Sequence, residues 1–243
     1  MTRKNLTINH ETHTHTKRHT RRNPRLPDPF YQYSKPNQRP LHHTPHPIRL
    51  HSPHSQHHRR WKVSAAMTTQ YLIDRFQPST ILFTGLAGAL NPTYEIGDII
   101  LADRCIQYDI DASELGFPAG TIPYTEYHTF TPDAALLKLA QQIKTDQTLN
   151  TGTILTGDQF MTHDKRAHFQ NLFDHFQGDA IEMEGAALAH VCTHNQTPFL
   201  LIRTISDKAN ADAPTDFTAF LQTASQTSFQ LIQNLLNMIY AEV

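Results

Sequence analysis

Residues 62–243 predict a three-layer α/β domain on a mostly parallel central sheet, and two observations carry that prediction. Apolar runs of strand length alternate with amphipathic helical stretches along the segment, and such alternation buries a parallel sheet between helical layers. From Phe83 onward each apolar run ends in polar or glycine residues, the pattern of strands whose carboxyl ends face a ligand.

The elements follow in order. Residues 62–76 (KVSAAMTTQYLIDRF) read as an amphipathic helix, and residues 79–84 (STILFT) as a buried strand running into a glycine-rich turn at Thr84-Gly85-Leu86-Ala87-Gly88. A second strand covers residues 98–103, and a Pro/Gly-rich loop covers residues 116–124. Next come a helix over about residues 132–144, a strand at 152–156, a helix at 165–173, a strand at 179–183 and a helix at 184–193. A strand at 199–205 and a long helix at 215–240 complete the pattern.

Residues 1–61 have another texture and read as a separate, disordered His/Arg/Pro-rich segment. The first 60 residues hold 12 of the 21 Lys and Arg, 11 of the 17 His, and two acids, Glu11 and Asp28. Twelve bases less two acids make this stretch +10, and the remaining 9 bases and 20 acids make the rest −11. The stretch has almost no periodic apolar pattern, and prolines at 24, 27, 29, 36, 40, 45, 47 and 53 interrupt it from residue 24 onward, so neither a helix nor a buried strand is expected there. Low apolar content with high charge leaves too little surface to bury against chain entropy. Three readings are open: a metal- or nucleic-acid-binding tail using His42, His43, His46, His51, His54, His57 and His58; a plain disordered basic tail; or an out-of-frame or wrongly started translation. Zinc ligands want an ordered frame with supporting hydrogen bonds, which argues against the first. The third fits best, because the segment replaces strands that the fold requires, so the N-terminal strands count as apparently missing.

The two cysteines, Cys105 and Cys192, form no C-x-x-C pair, which argues against a disulfide scaffold and a metal cluster. No run approaches the roughly 18 apolar residues of a membrane span, and the first residues lack the apolar core of a signal peptide. A cytoplasmic location is the default expectation.

The strand ends Thr84 to Gly88, Thr156 to Phe160, Glu182 to Glu184 and Arg203 to Asp207 should converge on one pocket with two or three carboxylates, one Arg, one aromatic face and a glycine-lined backbone. Such a pocket suits a neutral, hydroxylated, planar ligand. Taken singly these motifs are bland. A Glu-x-Glu at a strand end is usually a solvated or helix-capping pair, a Ser-Asp is usually an N-cap, and Phe160 and Met183 read as core residues. His190 and Cys192 read as packing.

Together they carry a resemblance. Residues 180–192 (AIEMEGAALAHVC) followed by residues 201–207 (LIRTISD) are similar to the paired signature of the 5'-methylthioadenosine/S-adenosylhomocysteine nucleosidases, within the nucleoside phosphorylase superfamily. Thr84 to Gly88 and Thr156 to Phe160 match that family in the same order, so the likeness spans about three quarters of the chain. It implies a phosphorylase/hydrolase-like α/β fold, no cofactor, no metal, a small thionucleoside substrate and a homodimer, with no membrane and no nucleic-acid partner.

The resemblance also implies roles. Asp207 is the expected general acid that protonates N7 of adenine, since a departing purine otherwise leaves as an anion. Arg203 and Ser206 are expected to hold that acid and the water side of the pocket. Glu184 is expected at the ribose hydroxyls, where an acceptor also favours positive charge growing on the sugar, with Met183 beneath the ribose. Phe160 is expected to stack on the purine, and the Met161 backbone to read its edge. Gly88 allows close backbone approach, and Phe217, Ala112 and Leu115 are expected to line the alkylthio end.

Two departures bear on the reaction. Phosphorylases of the superfamily commonly carry a cation just before the Thr/Ser-Gly turn, where this chain has Phe83, so phosphate would lack its charge partner and water is the expected nucleophile. The hydrolases often have a hydroxyl residue where this chain has Leu86. The family's water-activating glutamate follows a first strand that residues 1–60 do not resemble, and Glu11 is not assigned that role. The function classes are therefore a nucleosidase, with a purine nucleoside phosphorylase as the alternative enzyme, or an inactive remnant that still binds adenine nucleosides.

This reading predicts that the 243-residue chain is unstable and essentially inactive. Exchanging residues 1–61 for an ordinary family N-terminus should raise solubility and raise adenine release by roughly two to four decades. Equal solubility and equal turnover of the two chains would show that an acid such as Glu11 reaches the pocket.

Overall fold

The computed structural model describes the backbone of residues 31–34, and residues 61–210, 220, 227 and 230–240. The remainder of residues 1–60, including the histidines named above, lies outside the described residues, as do Phe217 and most of residues 211–229.

Helix α1 (Trp61–Phe76) buries Ala65, Thr69 and Leu72, a stripe at intervals of four and three that one helical face presents. Strand β2 (Thr80–Ala89) and strand β3 (Ile99–Gln107) follow. Helix α2 (Ala134–Ala140) starts after Asp133, whose carboxylate accepts from the Ala135 and Leu136 amides at 3.0 and 2.9 Å. This N-cap satisfies two of the free amides of the first turn. Then come β4 (Leu149–Thr156), α3 (His163–Phe176), β5 (Ala180–Glu182), α4 (Gly185–His194) and β6 (Phe199–Asp207). Residues 230–240 are helical.

The sheet is mixed, which corrects the expectation of a mostly parallel one. β2–β6, β3–β4 and β4–β5 run parallel, whereas β2–β5 and β3–β6 run antiparallel. Followed from β2 through β5, β4, β3 and β6 and back to β2, the pairings close into a ring. Direction was invisible in the sequence because a strand buried on both faces reads as a continuous apolar run either way. β6 is such a strand, buried at all nine positions. Its Phe199, Leu201 and Ile205 join a core with residues of α1 and α4, while Leu200 and Ile202 join one with α2 and the helix at 230–240. A third core gathers Phe173 and Phe176 of α3 with Ile106, Tyr108 and Leu155.

A second difference concerns residues 1–60, where neither a helix nor a buried strand was expected. Strand β1 (Tyr31–Ser34) pairs antiparallel with β2, from Tyr31 opposite Phe83 to Ser34 opposite Thr80. β5 engages β2 only at Gly88 and Ala89, which leaves the first half of that edge with backbone groups to pair. Tyr-Gln-Tyr-Ser alternates residues that suit an edge strand, a four-residue signal too short to stand out between prolines.

The third correction is at Thr84 to Gly88, expected as a turn. β2 runs straight through to Ala89. Its glycines clear space for side chains of β6. A Cβ at Gly85 would lie 3.2 Å from the guanidinium carbon of Arg203, and one at Gly88 would lie 2.8 Å from Oδ1 of Asp207.

Where β4, β5 and β6 meet, an ion pair ties them to α4. The Arg203 Nη2 donates to Glu182 Oε2 at 2.6 Å and its Nε to the same oxygen at 3.3 Å, with both side chains buried. The Glu182 carboxylate also accepts from the Gly185 amide at 2.9 and 2.8 Å, from the Glu184 amide at 3.1 Å, and from the Thr156 hydroxyl. Thr156 Oγ1 in turn accepts from the Ala186 amide at 2.8 Å. The free amides at the start of α4 thus find their acceptors here. Removing one partner strands a buried charge, so Glu182→Ala is expected to cost about 3–5 kcal/mol. Urea denaturation should show the fall in midpoint with an unchanged slope.

Candidate active site

Register brings the carboxyl ends of the ring strands together. Gln107 lies opposite Thr156, Thr156 opposite Glu182, Ile181 opposite Gly88, and Gly88 opposite Asp207. β2 and β5 are antiparallel but overlap only through Gly88 and Ala89, so their carboxyl ends meet there. Four of the residues singled out from sequence follow directly: Gly88, Met183, Glu184 and Asp207 stand at this junction.

Asp207 closes β6 and is buried. One extra residue, Ser206, lies between the pairs Ala87 opposite Ile205 and Gly88 opposite Asp207. A bulge of this kind bends the strand and re-aims the next side chain. The Asp207 carboxylate accepts from the Ser206 hydroxyl at 2.8 Å and from the Ala209 amide at 2.9 Å. Ser206 Oγ also lies 3.4 Å from the Ala87 carbonyl, so a donor from β6 and the open position at Gly88 frame the acid from both sides. Ala209 itself adopts a positive φ of 47°, a backbone state that costs a non-glycine residue energy.

Arg203 sends its charge to Glu182, with its guanidinium carbon 4.3 Å from the centre of the Phe83 ring and its Nη1 donating to the Ile202 carbonyl at 3.0 Å. Phe83 is fully buried. Glu184, at the amino end of α4, is half-buried and accepts from the Trp61 amide at 2.9 Å. The start of α1 is thereby laid against the junction. Lys62 reinforces that contact, its Nζ 2.6 Å from Asp109 Oδ1 after β3 and 3.7 Å from Asp158 Oδ2 after β4. The Asp158 amide donates to Asp109 Oδ2 at 2.9 Å.

Beyond Asp158, Phe160 is half-buried while the Met161 side chain is buried in the core on α3. Beyond Asp109, Ala112 precedes a single turn of 3-10 helix (Ser113–Leu115) whose Leu115 is 69% exposed. Phe217 lies outside the described residues. Cys192 and His190 sit away from the junction. Burial pushes the Cys192 thiol up to about 12, and burial together with the neighbouring charge of His194 lowers the His190 imidazole below its ordinary value as it stacks on Phe130 at 5.0 Å. Burial likewise raises the Cys105 thiol, with Glu182 adding to it. Neither thiol has the lowered pKa of a nucleophile.

Sequence reasoning gave no role of their own to Glu182, Thr156 and Asp158, although all three lie on the strand ends it singled out, and it missed Lys62 and Asp109. A signal existed for the first: lone charges in the apolar strands Ala180–Glu182 and Phe199–Asp207 must find partners when buried. For Lys62, Asp109 and Asp158 no local pattern distinguishes a clamp from three surface charges. Among the described residues no group of three or more His, Cys, Asp or Glu is disposed to hold a metal ion, and no helix is long and apolar enough to cross a membrane.

Residues 57–237 match the phosphorylase superfamily. A Staphylococcus saprophyticus 5'-methylthioadenosine/S-adenosylhomocysteine nucleosidase is 39% identical over 73% of this chain and 78% of its own length. An aminodeoxyfutalosine nucleosidase of Campylobacter jejuni is 36% identical over 70% of this chain and 74% of its own. Among solved structures, a mutant of the Helicobacter pylori nucleosidase with 5'-methylthioadenosine in its active site is 32% identical, with a TM-score of 0.69 over 73% of this chain and 77% of that one. With a buried carboxylate at the junction of five strand ends and relatives of this kind across most of its length, the chain belongs to the 5'-methylthioadenosine/S-adenosylhomocysteine nucleosidase family of the phosphorylase superfamily.

Proposed function

We propose that this chain hydrolyses the N-glycosidic bond of 5'-methylthioadenosine and S-adenosylhomocysteine, releasing adenine and the thioribose, as methionine salvage requires. The observation that carries the proposal is the buried Asp207 carboxylate, set after the bulge at Ser206 and packed against the bare backbone at Gly88. Water forms a bond to C1′ as the bond to N9 breaks, the electron pair passes into the purine, and the proton that the attacking water sheds passes to the surrounding solvent. Asp207 delivers a proton to N7, so adenine leaves neutral. Ser206 holds the Asp207 carboxyl through its hydroxyl. Arg203 acts at one remove, through Glu182 and the amino end of α4 that carries Glu184.

Glu184 receives the ribose hydroxyls and favours the cationic character of the sugar in the transition state, with Met183 beneath the ring. Phe160 stacks on the purine. The buried Met161 side chain leaves its backbone to meet the purine edge. Ala112, Leu115 and Phe217 take the alkylthio tail, and the exposure of Leu115 suits a wall completed by the second subunit of a homodimer. Water rather than phosphate is the nucleophile, because the buried aromatic ring of Phe83 stands where a phosphate-binding cation would be needed and the adjacent Arg203 is already paired. The work is cytoplasmic and needs neither cofactor nor metal.

In the chain carrying a family-type N-terminus, Asp207→Asn should lower kcat by about two to four orders of magnitude. A loss under tenfold removes Asp207 from the acid role. Glu184→Gln should cripple turnover in the same background, and Cys192→Ser should leave it nearly unchanged. Adenine release should also be indifferent to added phosphate and yield a free reducing sugar. Appearance of the sugar 1-phosphate instead would transfer the chain to the phosphorylases.

A further inference from the structure

Arg166 lies on α3, one turn past the loop that carries Phe160 and Met161, with its own amide donating to the Thr162 carbonyl at 2.8 Å. Its guanidinium crosses to the carboxyl ends of two other strands. Nη1 donates to the Ala89 carbonyl at 3.2 Å and the Lys208 carbonyl at 3.1 Å, and Nη2 donates to the Leu90 carbonyl at 2.7 Å. The remaining contact, from Nε to Gln170 Oε1, is 3.5 Å long. A charged fork spent on three backbone carbonyls fixes the chain on which they sit, and only arginine has the rigid, multiply donating geometry for it.

Those carbonyls border Asp207. Lys208 links Asp207 to Ala209, whose amide donates to Asp207 Oδ1 and whose φ is held at 47°. Ala89 and Leu90 follow Gly88, the position that leaves room for the same oxygen. The amides of Leu90 and Asn91 are taken by the Asp179 carbonyl at 2.9 and 3.0 Å, so the donors of this corner are held from β5 and its acceptors from Arg166. The Lys208 ammonium is anchored separately, at Glu95 Oε2 (2.9 Å) and the Tyr94 carbonyl. Without Arg166 the Lys208 carbonyl loses its donor and the strained turn at Ala209 loses its restraint.

We infer that Arg166 is a positioning residue for Asp207: by holding the ends of β2 and β6 together it keeps the Ala209 amide on the acid and couples the acid to the loop at Phe160. The catalytic part of this inference rests on Asp207 serving as the acid, whereas the structural part stands on the contacts alone.

Hydrogen exchange in the 243-residue chain tests the structural part without reference to activity. In Arg166→Met the Ala209 amide should exchange at least about tenfold faster while amides in the middle of β4 keep their protection, and Arg166→Lys should restore part of the difference. Unchanged protection at Ala209 in both variants overturns the inference. Adenine release by the chain carrying a family-type N-terminus, and by its Arg166→Met, Asp207→Asn and double variants, tests the catalytic part. Arg166→Met should lower kcat by about ten- to a hundredfold with KM altered less than about threefold, and should add little in the Asp207→Asn background, because the two act as a unit. Full additivity, or a rise in KM alone, sinks the coupling to the acid. Asp207→Asn costing less than tenfold instead sinks the acid assignment while leaving the exchange result to stand.

Discussion

The buried pair of Glu182 and Arg203 is the constraint around which this structure is arranged. A carboxylate and a guanidinium taken out of water are costly unless nearly every polar atom finds a partner, and here the partners come from four elements. β6 supplies Arg203, β5 supplies Glu182, β4 supplies the Thr156 hydroxyl, and α4 supplies the amides of Gly185 and Ala186. Each element is thereby locked in register at its end. The Arg203 side chain also crowds its surroundings: its guanidinium carbon lies 4.3 Å from the centre of the Phe83 ring, and a Cβ at Gly85 would approach that carbon to 3.2 Å. Glu184, two residues past Glu182, inherits its position from this lock.

The junction makes room for one further carboxylate by departing from regular geometry. Gly88 is bare, Ser206 is an extra residue in the ladder, and Ala209 bends into a positive φ. Each costs the sheet something, and all three bear on the two oxygens of Asp207. Such local concessions concentrated at a single side chain are expected where a site has requirements that stability alone does not impose.

The outer surface of the junction is held by longer-range charge. Lys62 bridges Asp109 and Asp158, which ties the loops after β3 and β4 to the first turn of α1. These contacts are partly exposed, and solvent screening weakens them relative to the buried pair. The molecule therefore has a rigid centre at Glu182 and Arg203, and a softer rim formed by the loops that carry Ala112, Leu115 and Phe160.

The sequence by itself determined the alternation of helix and strand and the family motifs it carries, because burial periodicity and short motifs are local. Asp207, Glu184 and Gly88 were legible for that reason. Strand direction was not, since β6 is buried on both faces and such a strand reads alike in either sense, and ring closure, made by the β2–β6 and β3–β6 pairings, has no local signature at all. Nor was β1, four residues among prolines that pair only because β2 offers an open edge. Tertiary structure alone decided that Arg203 answers Glu182, that the glycines of β2 are clearances within a strand, and that Arg166 reaches across to the Lys208 carbonyl. The reason is physical: a buried charge declares in sequence that it needs a partner, but which partner it finds depends on distances that only the closed sheet sets.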